Sequence, residues 1–141
     1  KAIVQARPLY TTFELADLVR KAVGKTREQQ DPATRTFQAL RIAVNDELNV
    51  ISQAVPSLIE LLQTNGRIAI ISFHSLEDRI VKNVFRQEST DCICPPEKLI
   101  CDCGHVATVK VLTKRPITAS EDELQTNPRS RSARLRIAQK L

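Results

Sequence analysis

Apolar residues recur at helical spacing near the amino end of the chain. The repeat covers residues 13–23, a Thr-x-x-Glu capping box at Thr11 and Glu14 precedes it, and Gly24 follows it as a residue type that commonly ends helices. This pattern predicts one short amphipathic helix. The next stretch, residues 25–32, is polar and ends in a proline, which predicts a loop and a domain boundary.

A longer apolar stripe follows this loop. Apolar residues at three- and four-residue spacing run through residues 37–55, a pattern typical of one long helix that faces a core. We expect Pro56 to kink or restart this helix and residues 57–63 to continue it, until Asn65 and Gly66 form a turn.

Residues 68–73 form a continuous, isoleucine-rich apolar run. Such a run between two helices predicts a buried parallel strand. Ser75 and Asp78 stand at capping spacing, so the next helix is predicted over residues 76–86. The order helix, strand, helix indicates an α/β fold.

The last third of the chain predicts two more strands. Residues 106–112 alternate between apolar and polar side chains, and residues 135–138 form a short apolar-rich run. Between them, Ser120 and Glu123 predict a capped helical turn.

Composition excludes a membrane-spanning helix and a glycine-rich cofactor loop within this chain. The chain has 141 residues, of which 42% are hydrophobic, and no apolar run approaches the roughly 20 residues that a membrane-spanning helix needs. Its three glycines, Gly24, Gly66 and Gly104, stand too far apart to share a phosphate-binding or dinucleotide-binding loop. The chain lacks methionine and starts at Lys1, from which we expect a piece of a longer protein.

The positive charge is concentrated at the carboxyl end. The formal net charge is +5, yet residues 1–103 carry 13 basic and 13 acidic side chains, whereas residues 104–141 carry 8 basic and 3 acidic ones. A basic segment indicates contact with nucleic acid or, alternatively, a solvated tail. Within it, residues 127–134 are predicted to be extended and suited to phosphate oxygens.

Polar side chains follow the strand predicted at residues 68–73. Ligands of open α/β sheets bind beyond the carboxyl ends of strands, which makes His74 and Ser75 candidates for chemistry. The structural alternative makes Ser75 a helix cap and His74 a hydrogen-bonded loop residue, with Glu77 and Asp78 as favourable acids in the first helical turn. A Ser-His-Asp hydrolase is rejected because the chain has no Gly-x-Ser-x-Gly motif.

Arg41 and Asn45 interrupt the apolar stripe of the long predicted helix. They lie four residues apart and share a helix face, so together they are candidates to hold a phosphate or a base. The alternative is a polar helix edge whose groups are satisfied by other protein groups.

Four cysteines fall within twelve residues, as Cys92-x-Cys94 and Cys101-x-Cys103. Four thiolates this close can enclose a tetrahedral zinc ion, although the one-residue gaps differ from the usual spacing of zinc ribbons. Reduced structural thiols and disulfide or redox use stay open as alternatives. No secretion signal is visible at the amino end, which favours a cytoplasmic location and makes disulfides the weaker alternative.

Three long segments resemble a known family. PATRTFQALRIAVNDEL (residues 32–48), GRIAIISFHSLEDRIVK (66–82) and KRPITASEDELQTNPRSRSARLRI (114–137) closely resemble the carboxyl-terminal half of the bacterial small-subunit (16S) rRNA cytosine-N4 methyltransferases, the RsmH or MraW family. ARPLYTTFELADLV (residues 6–19) resembles the end of that family's helical insertion domain.

The resemblance implies part of a class I, Rossmann-like fold that uses S-adenosylmethionine to methylate N4 of a cytidine in 16S rRNA. Residues 1–31 would be the end of a helical, substrate-binding insertion. Residues 32–141 would be the carboxyl-terminal portion of the methyltransferase core, with a cysteine-rich loop at residues 92–103 and a basic tail at residues 104–141. The family's cofactor site lies mostly in its amino-terminal half, so we expect this chain to be inactive alone.

The resemblance also gives roles to the candidate residues. We expect His74, Ser75 and Asn45 to lie nearest the target base, and we expect contacts to RNA from Arg41, Arg129, Ser130 and Arg131. Two departures stand out, because the family usually has His in place of Asp31 and a Pro-Gly-Gly turn in place of Thr64-Asn65-Gly66. The first leaves the role of that position open, and the second is a turn change that we expect to be tolerated.

The expected partner is 16S rRNA in the small ribosomal subunit, with no membrane contact. An open sheet edge would also favour a homodimer. The main alternative function is a non-catalytic RNA-binding module derived from the same family, with zinc at the cysteines as its stabilising ion.

Overall fold

The computed structural model describes residues 1–24, 31–98 and 100–141. Their contacts form two compact units, Lys1–Glu47 and Leu48–Leu141. Most of the predicted loop, residues 25–30, lies outside the described residues. None of the helices in the described part of the chain has the length and apolar content needed to cross a membrane.

The first unit is helical and contains α1 (Ala2–Gln5), α2 (Thr12–Val23) and α3 (Pro32–Asn45). The predicted start and end of α2 are confirmed, because the Thr11 hydroxyl accepts a hydrogen bond from the Glu14 backbone N–H and Gly24 follows the last turn with a φ of 72°. A small apolar core of Ala16, Val19 and Ala33 joins α2 to α3. By its contacts α3 therefore belongs to the first unit. The predicted division at residue 31, between a helical insertion and the methyltransferase core, stays a prediction.

Asp31 opens α3 and also ties it to α2. Its carboxylate accepts a hydrogen bond from the Ala33 backbone N–H at 2.9 Å and lies 2.6 Å from Arg20 Nη2. The hydrogen bond from Arg20, followed by the one from Ala33, lowers the pKa of Asp31. An aspartate at this position is therefore a helix cap and ion-pair partner.

The long predicted helix is divided at Asp46. Asp46 adopts the left-handed conformation, with a φ of 51°, so α3 ends at Asn45 and α4 runs from Glu47 to Glu60. Aspartate tolerates this backbone conformation better than most residues. The apolar repeat predicted no break because its spacing continues on both sides of Asp46. Pro56 lies inside α4 without ending it.

The turn predicted after α4 is confirmed at Asn65 and Gly66. Asn65 has a φ of 67°, and the Gly66 backbone N–H donates to the Gln63 carbonyl at 2.8 Å. A Cβ atom on Gly66 would lie 2.8 Å from that same carbonyl oxygen, so only glycine fits here.

The second unit contains a three-stranded antiparallel sheet. Its strands are β1 (Arg67–Ser72), β2 (Val109–Val111) and β3 (Arg134–Lys140), in the order β1-β3-β2. The prediction of a parallel arrangement for β1 is wrong for the described strands, since β3 starts beside the end of β1, with Ser72 opposite Arg134. Burial along β1 alternates, as expected for a strand with one face on the core.

The core of this unit lies between the sheet, α4 and α5 (Ser75–Glu88). The strand predicted at residues 106–112 is present as the three residues of β2, and the last predicted strand is confirmed and longer. The buried apolar residues of this core are Val55, Ile59, Ile68, Val81, Phe85, Val109 and Ala138.

The segment before β3 contains two short helical elements. The cap predicted at Ser120 is confirmed, because its hydroxyl accepts from the Glu123 backbone N–H at the start of α6 (Glu121–Thr126). The extended conformation predicted for residues 127–134 is wrong over most of its length, because Pro128–Ser132 form a 3₁₀ helix. Proline suits the first position of such a turn, since its fixed φ is helical.

Candidate functional site

The turn between β1 and α5 is closed by a capping box of His74 and Glu77. His74 Nδ1 accepts from the Glu77 backbone N–H at 3.3 Å, and the Glu77 carboxylate accepts from the backbone N–H groups of His74 and Phe73. The prediction that Ser75 caps this helix is therefore wrong. His74 has the extended backbone of an N-cap residue, and Ser75 is the first helical residue.

His74 and Ser75 meet their surroundings differently. The His74 side chain is about 10% exposed, and its Nε2 atom lies 3.2 Å from Glu77 Oε1. Because Nδ1 accepts a hydrogen bond, the neutral ring carries its proton on Nε2. Ser75 is exposed at the surface beside it. The two candidates are thus adjacent, with His74 fixing the turn and Ser75 facing outward.

One turn further along α5, Asp78 forms a buried ion pair that joins the helix to β3. Its carboxylate accepts from Arg136 Nε at 2.6 Å and Nη2 at 3.1 Å, and from Arg134 Nη1 at 3.3 Å. The Asp78 and Arg136 side chains are each about 8% exposed. The hydrogen bond from Arg136 lowers the pKa of Asp78 against the opposing effect of burial. From its position in the sequence Asp78 is predicted only as an acid of the first helical turn, and no local pattern indicates this pair.

Arg41 and Asn45 come together at the end of α3, as their spacing predicts. Both contact the Glu47 carboxylate: Arg41 Nε lies 2.8 Å from Oε1, and Asn45 Nδ2 donates to Oε1 at 3.1 Å. The Glu47 carboxylate therefore accepts from some of the N–H donors of Arg41 and Asn45 and holds the two side chains together. Contact with RNA through these two residues stays a prediction.

The predicted RNA-contacting residues of the 3₁₀ helix divide by exposure. Arg129 and Arg131 are exposed, whereas Ser130 is buried and its hydroxyl donates to the Asn127 carbonyl at 2.8 Å. Ser130 thus closes the turn that presents the two arginines.

A basic cleft that the sequence analysis missed lies on the second unit. Lys82 and Arg86 of α5 and Lys114, which follows β2, are exposed at the rim of a cavity of about 280 Å³. Phe85 and Val111 are among its apolar lining. The spacing of Lys82 and Arg86, four residues apart on one helix, is the signal that identifies them as a pair.

An apolar cleft of about 220 Å³ lies where α4 meets the end of β1 and the start of α5. Ile71 and Leu58, two of its lining residues, are about half exposed. Among its described lining residues, the polar side chains are those of Ser72 and Glu77. The described lining residues are Val50, Ile51, Ala54, Val55, Leu58, Ile70, Ile71, Ser72, Glu77 and Val81.

The four cysteines lie together between α5 and β2. All four are free thiols, and their sulfur atoms lie within 4.8 Å of one another. Backbone N–H groups, first that of Ile93 and then that of His105, lower the pKa of Cys103 to about 6. The pKa of Cys92 is raised to about 12. The hydrogen bond from the Cys94 backbone N–H lowers this pKa, but the hydrogen bonds with neighbouring thiols together raise it by more.

The second unit thus combines a polar turn after β1 with a basic cleft on α5. The family model described as the MraW methylase family matches residues 1–141. The chain belongs to this family.

Curated relatives carry the name ribosomal RNA small subunit methyltransferase H. The chain is 53% identical over 137 residues to the relative from Heliobacterium mobile and 54% identical over 137 residues to that from Geobacter sp. (strain M21), covering 96% of this chain and 44% of each relative. It is 50% identical over 146 residues to the relative from Brevibacillus brevis, covering 100% of this chain and 46% of the relative. The chain therefore spans less than half the length of these relatives.

Proposed function

We propose that this chain is the carboxyl-terminal part of an S-adenosylmethionine-dependent enzyme that methylates the exocyclic N4 of a cytidine in small-subunit rRNA. The observation that carries the proposal is the family match over residues 1–141. The names of the relatives supply the substrate class, small-subunit ribosomal RNA.

In this proposal the antiparallel sheet is one end of the larger sheet of a class I methyltransferase fold. In the described residues β1 pairs only with β3, so its other edge is open to further strands. The apolar cleft beside β1 offers a surface that the rest of such an enzyme would cover. Pairing of two copies through the same edge, as expected from the sequence, is the competing use of this surface.

The glycines of this chain are not arranged as a cofactor-binding loop. Gly24 and Gly104 stand in open space and Gly66 lies in a tight turn, so none belongs to a loop that could cradle the cofactor. We therefore assign cofactor binding to a part of the protein outside these 141 residues. When bound there, the cofactor supplies the methyl group.

The chemistry requires positioning more than strong acid–base catalysis. The lone pair of cytosine N4 is delocalised into the ring, so the amine must be held in line with the methyl donor and its proton must be accepted or polarised. We assign the contact with the base to Ser75 and Asn45, which are exposed. His74 positions Ser75 by capping α5.

Contact with the rRNA backbone is assigned to two groups of basic residues. Lys82, Arg86 and Lys114 surround the basic cleft, and Arg129 and Arg131 are exposed on the 3₁₀ helix. Lysine and arginine side chains neutralise phosphates without reading sequence, so they would fix the position of the RNA.

A chimeric enzyme tests the proposal. Residues 1–141 would be joined to the portion of the Heliobacterium mobile relative that this chain does not match. Transfer of labelled methyl from S-adenosylmethionine would be measured on small ribosomal subunits from cells that lack this modification. We expect methyl transfer by the chimera and none by either part alone.

The main alternative function is a non-catalytic RNA-binding module. The isolated glycines favour it because they form no cofactor loop, and the basic cleft favours it because it offers contacts to RNA phosphates. A chimera that binds S-adenosylmethionine and small-subunit rRNA yet transfers no methyl would contradict the enzymatic proposal and support this rival. Loss of transfer in the Asn45→Ala chimera, with binding retained, would place that side chain at the base.

A further inference from the structure

The thiols of Cys92, Cys94, Cys101 and Cys103 have the separations of a single-ion tetrahedral site. A tetrahedral zinc with Zn–S bonds of about 2.3 Å places its sulfur atoms about 3.8 Å apart. The sulfur atoms here lie 3.5 Å apart for Cys101 and Cys103, 3.9 Å for Cys94 and Cys101, and 4.0 Å for Cys92 and Cys103. A disulfide would need a separation of about 2.05 Å.

We propose that these four cysteines bind one structural Zn²⁺ ion, which cross-links the cysteine loop (residues 92–103). No family description or relative's name given above assigns a metal to this segment. The proposal is independent of the methyltransferase function.

The backbone explains how two Cys-x-Cys pairs supply four ligands. Contacts between sulfur atoms occur both within and between the pairs, because Cys101 Sγ lies close to those of Cys103 and Cys94, and Cys103 Sγ lies close to that of Cys92. Between the pairs, the Lys98 backbone N–H donates to the Pro95 carbonyl at 3.0 Å and forms a turn that brings the two pairs together.

Hydrogen bonds to sulfur also fit a metal site. The Cys94 backbone N–H donates to Cys92 Sγ at 3.4 Å. Such N–H donors offset the negative charge that four thiolates bring to a divalent ion, and they orient the ligands.

The described residues of the loop lack apolar packing, although Lys98 Nζ pairs with Asp102 Oδ1 within it. None of its described residues is buried, and Ile93 and Ile100 are 47% and 79% exposed. Its flanks, in contrast, are joined, because the Thr108 backbone N–H donates to the Glu88 carbonyl at 2.8 Å and His105 Nε2 lies 3.0 Å from the Gln87 carbonyl oxygen. A loop with fixed ends and no apolar core gains order from a metal cross-link.

Zinc fits this site better than the other metals that thiolates bind. Four thiolates in a tetrahedron select zinc or iron, and the short sulfur separations leave room for one ion only, which excludes an iron–sulfur cluster. Zinc has no redox chemistry and serves as a purely structural ion.

Metal analysis of the 141-residue chain, purified under reducing conditions without chelator, tests the proposal. We expect one equivalent of zinc, lost in Cys101→Ser. The matched control Ile100→Ser, in the same loop and also exposed, should keep its zinc. Circular dichroism would show whether each variant stays folded.

A measurement on the unaltered chain keeps the test independent of the variants. After zinc is removed, titration with cobalt should give the intense visible absorption of tetrahedral thiolate coordination and saturate at one equivalent. Three results would overturn the proposal: a reduced chain that takes up neither zinc nor cobalt, an intact mass showing loss of two hydrogens per disulfide, or one equivalent of iron in place of zinc.

Discussion

Replacing Asp78 by alanine should destabilise the second unit more than any exposed change. The substitution leaves the Arg136 guanidinium, about 8% exposed, without the carboxylate that accepts its bonds at 2.6 and 3.1 Å. Breaking a buried pair by removing one partner costs about 3–5 kcal/mol. At about 0.05–0.15 kcal/mol per residue, a unit of this size has a stability of about 5–14 kcal/mol, so the loss is about a fifth of it or more.

Guanidinium denaturation followed by circular dichroism measures this loss. Asp17→Ala is the control, because its pair with Arg20 is exposed, with side chains 64% and 48% accessible, and should cost less than about 1 kcal/mol. The double variant Asp78→Leu with Arg136→Met should recover much of the stability, since an apolar pair leaves no buried charge. A single Asp78→Ala variant within about 1 kcal/mol of the parent chain would refute the reasoning.

Three further predictions follow from the site. Because the pKa of Asp78 is lowered in the folded chain, its ion pair stabilises the fold fully at pH values above the ordinary aspartate range, and this stabilisation is lost as the pH falls through the folded-state pKa. Asp78→Asn should therefore remove this part of the pH dependence of the free energy of unfolding. In the chimera, His74→Ala should reduce methyl transfer and destabilise α5 by about 0.5–2 kcal/mol, because the helix loses its cap. His74→Ser should restore both the methyl transfer and the stability of α5. A stable serine variant without activity would show that the imidazole itself acts on the base. Lys82→Ala and Arg86→Ala should each reduce the slope of log affinity for small-subunit rRNA against log salt by about 1, and the exposed control Lys21→Ala should leave it unchanged; an unaltered slope in the first two would remove the basic cleft from the interface.

Local patterns predicted the elements of the fold well. The caps at Thr11 and Ser120 and the stop at Gly24 depend on neighbouring residues, and all three are present. The division at Asp46 was missed because both new helices keep the same apolar spacing, and the break depends on one residue's left-handed backbone.

The longer-range features could not be predicted in the same way. The antiparallel direction of β1 depends on β3, more than 60 residues further along the chain. The ion pair between Asp78 and Arg136 depends on the same strand register. No local sequence pattern around either residue indicates the other as its partner. The capping role of His74 was hidden because Ser75 is the stronger cap former by residue type.

Nucleoside mass spectrometry tests the central proposal most directly. Small-subunit rRNA would be isolated from cells that lack the methyltransferase and express the chimera, then digested and analysed for the position of the methyl group. The proposal predicts a cytidine methylated at N4. A folded chimera that binds S-adenosylmethionine and rRNA but leaves that cytidine unmodified, or a methyl group on another atom, would contradict it.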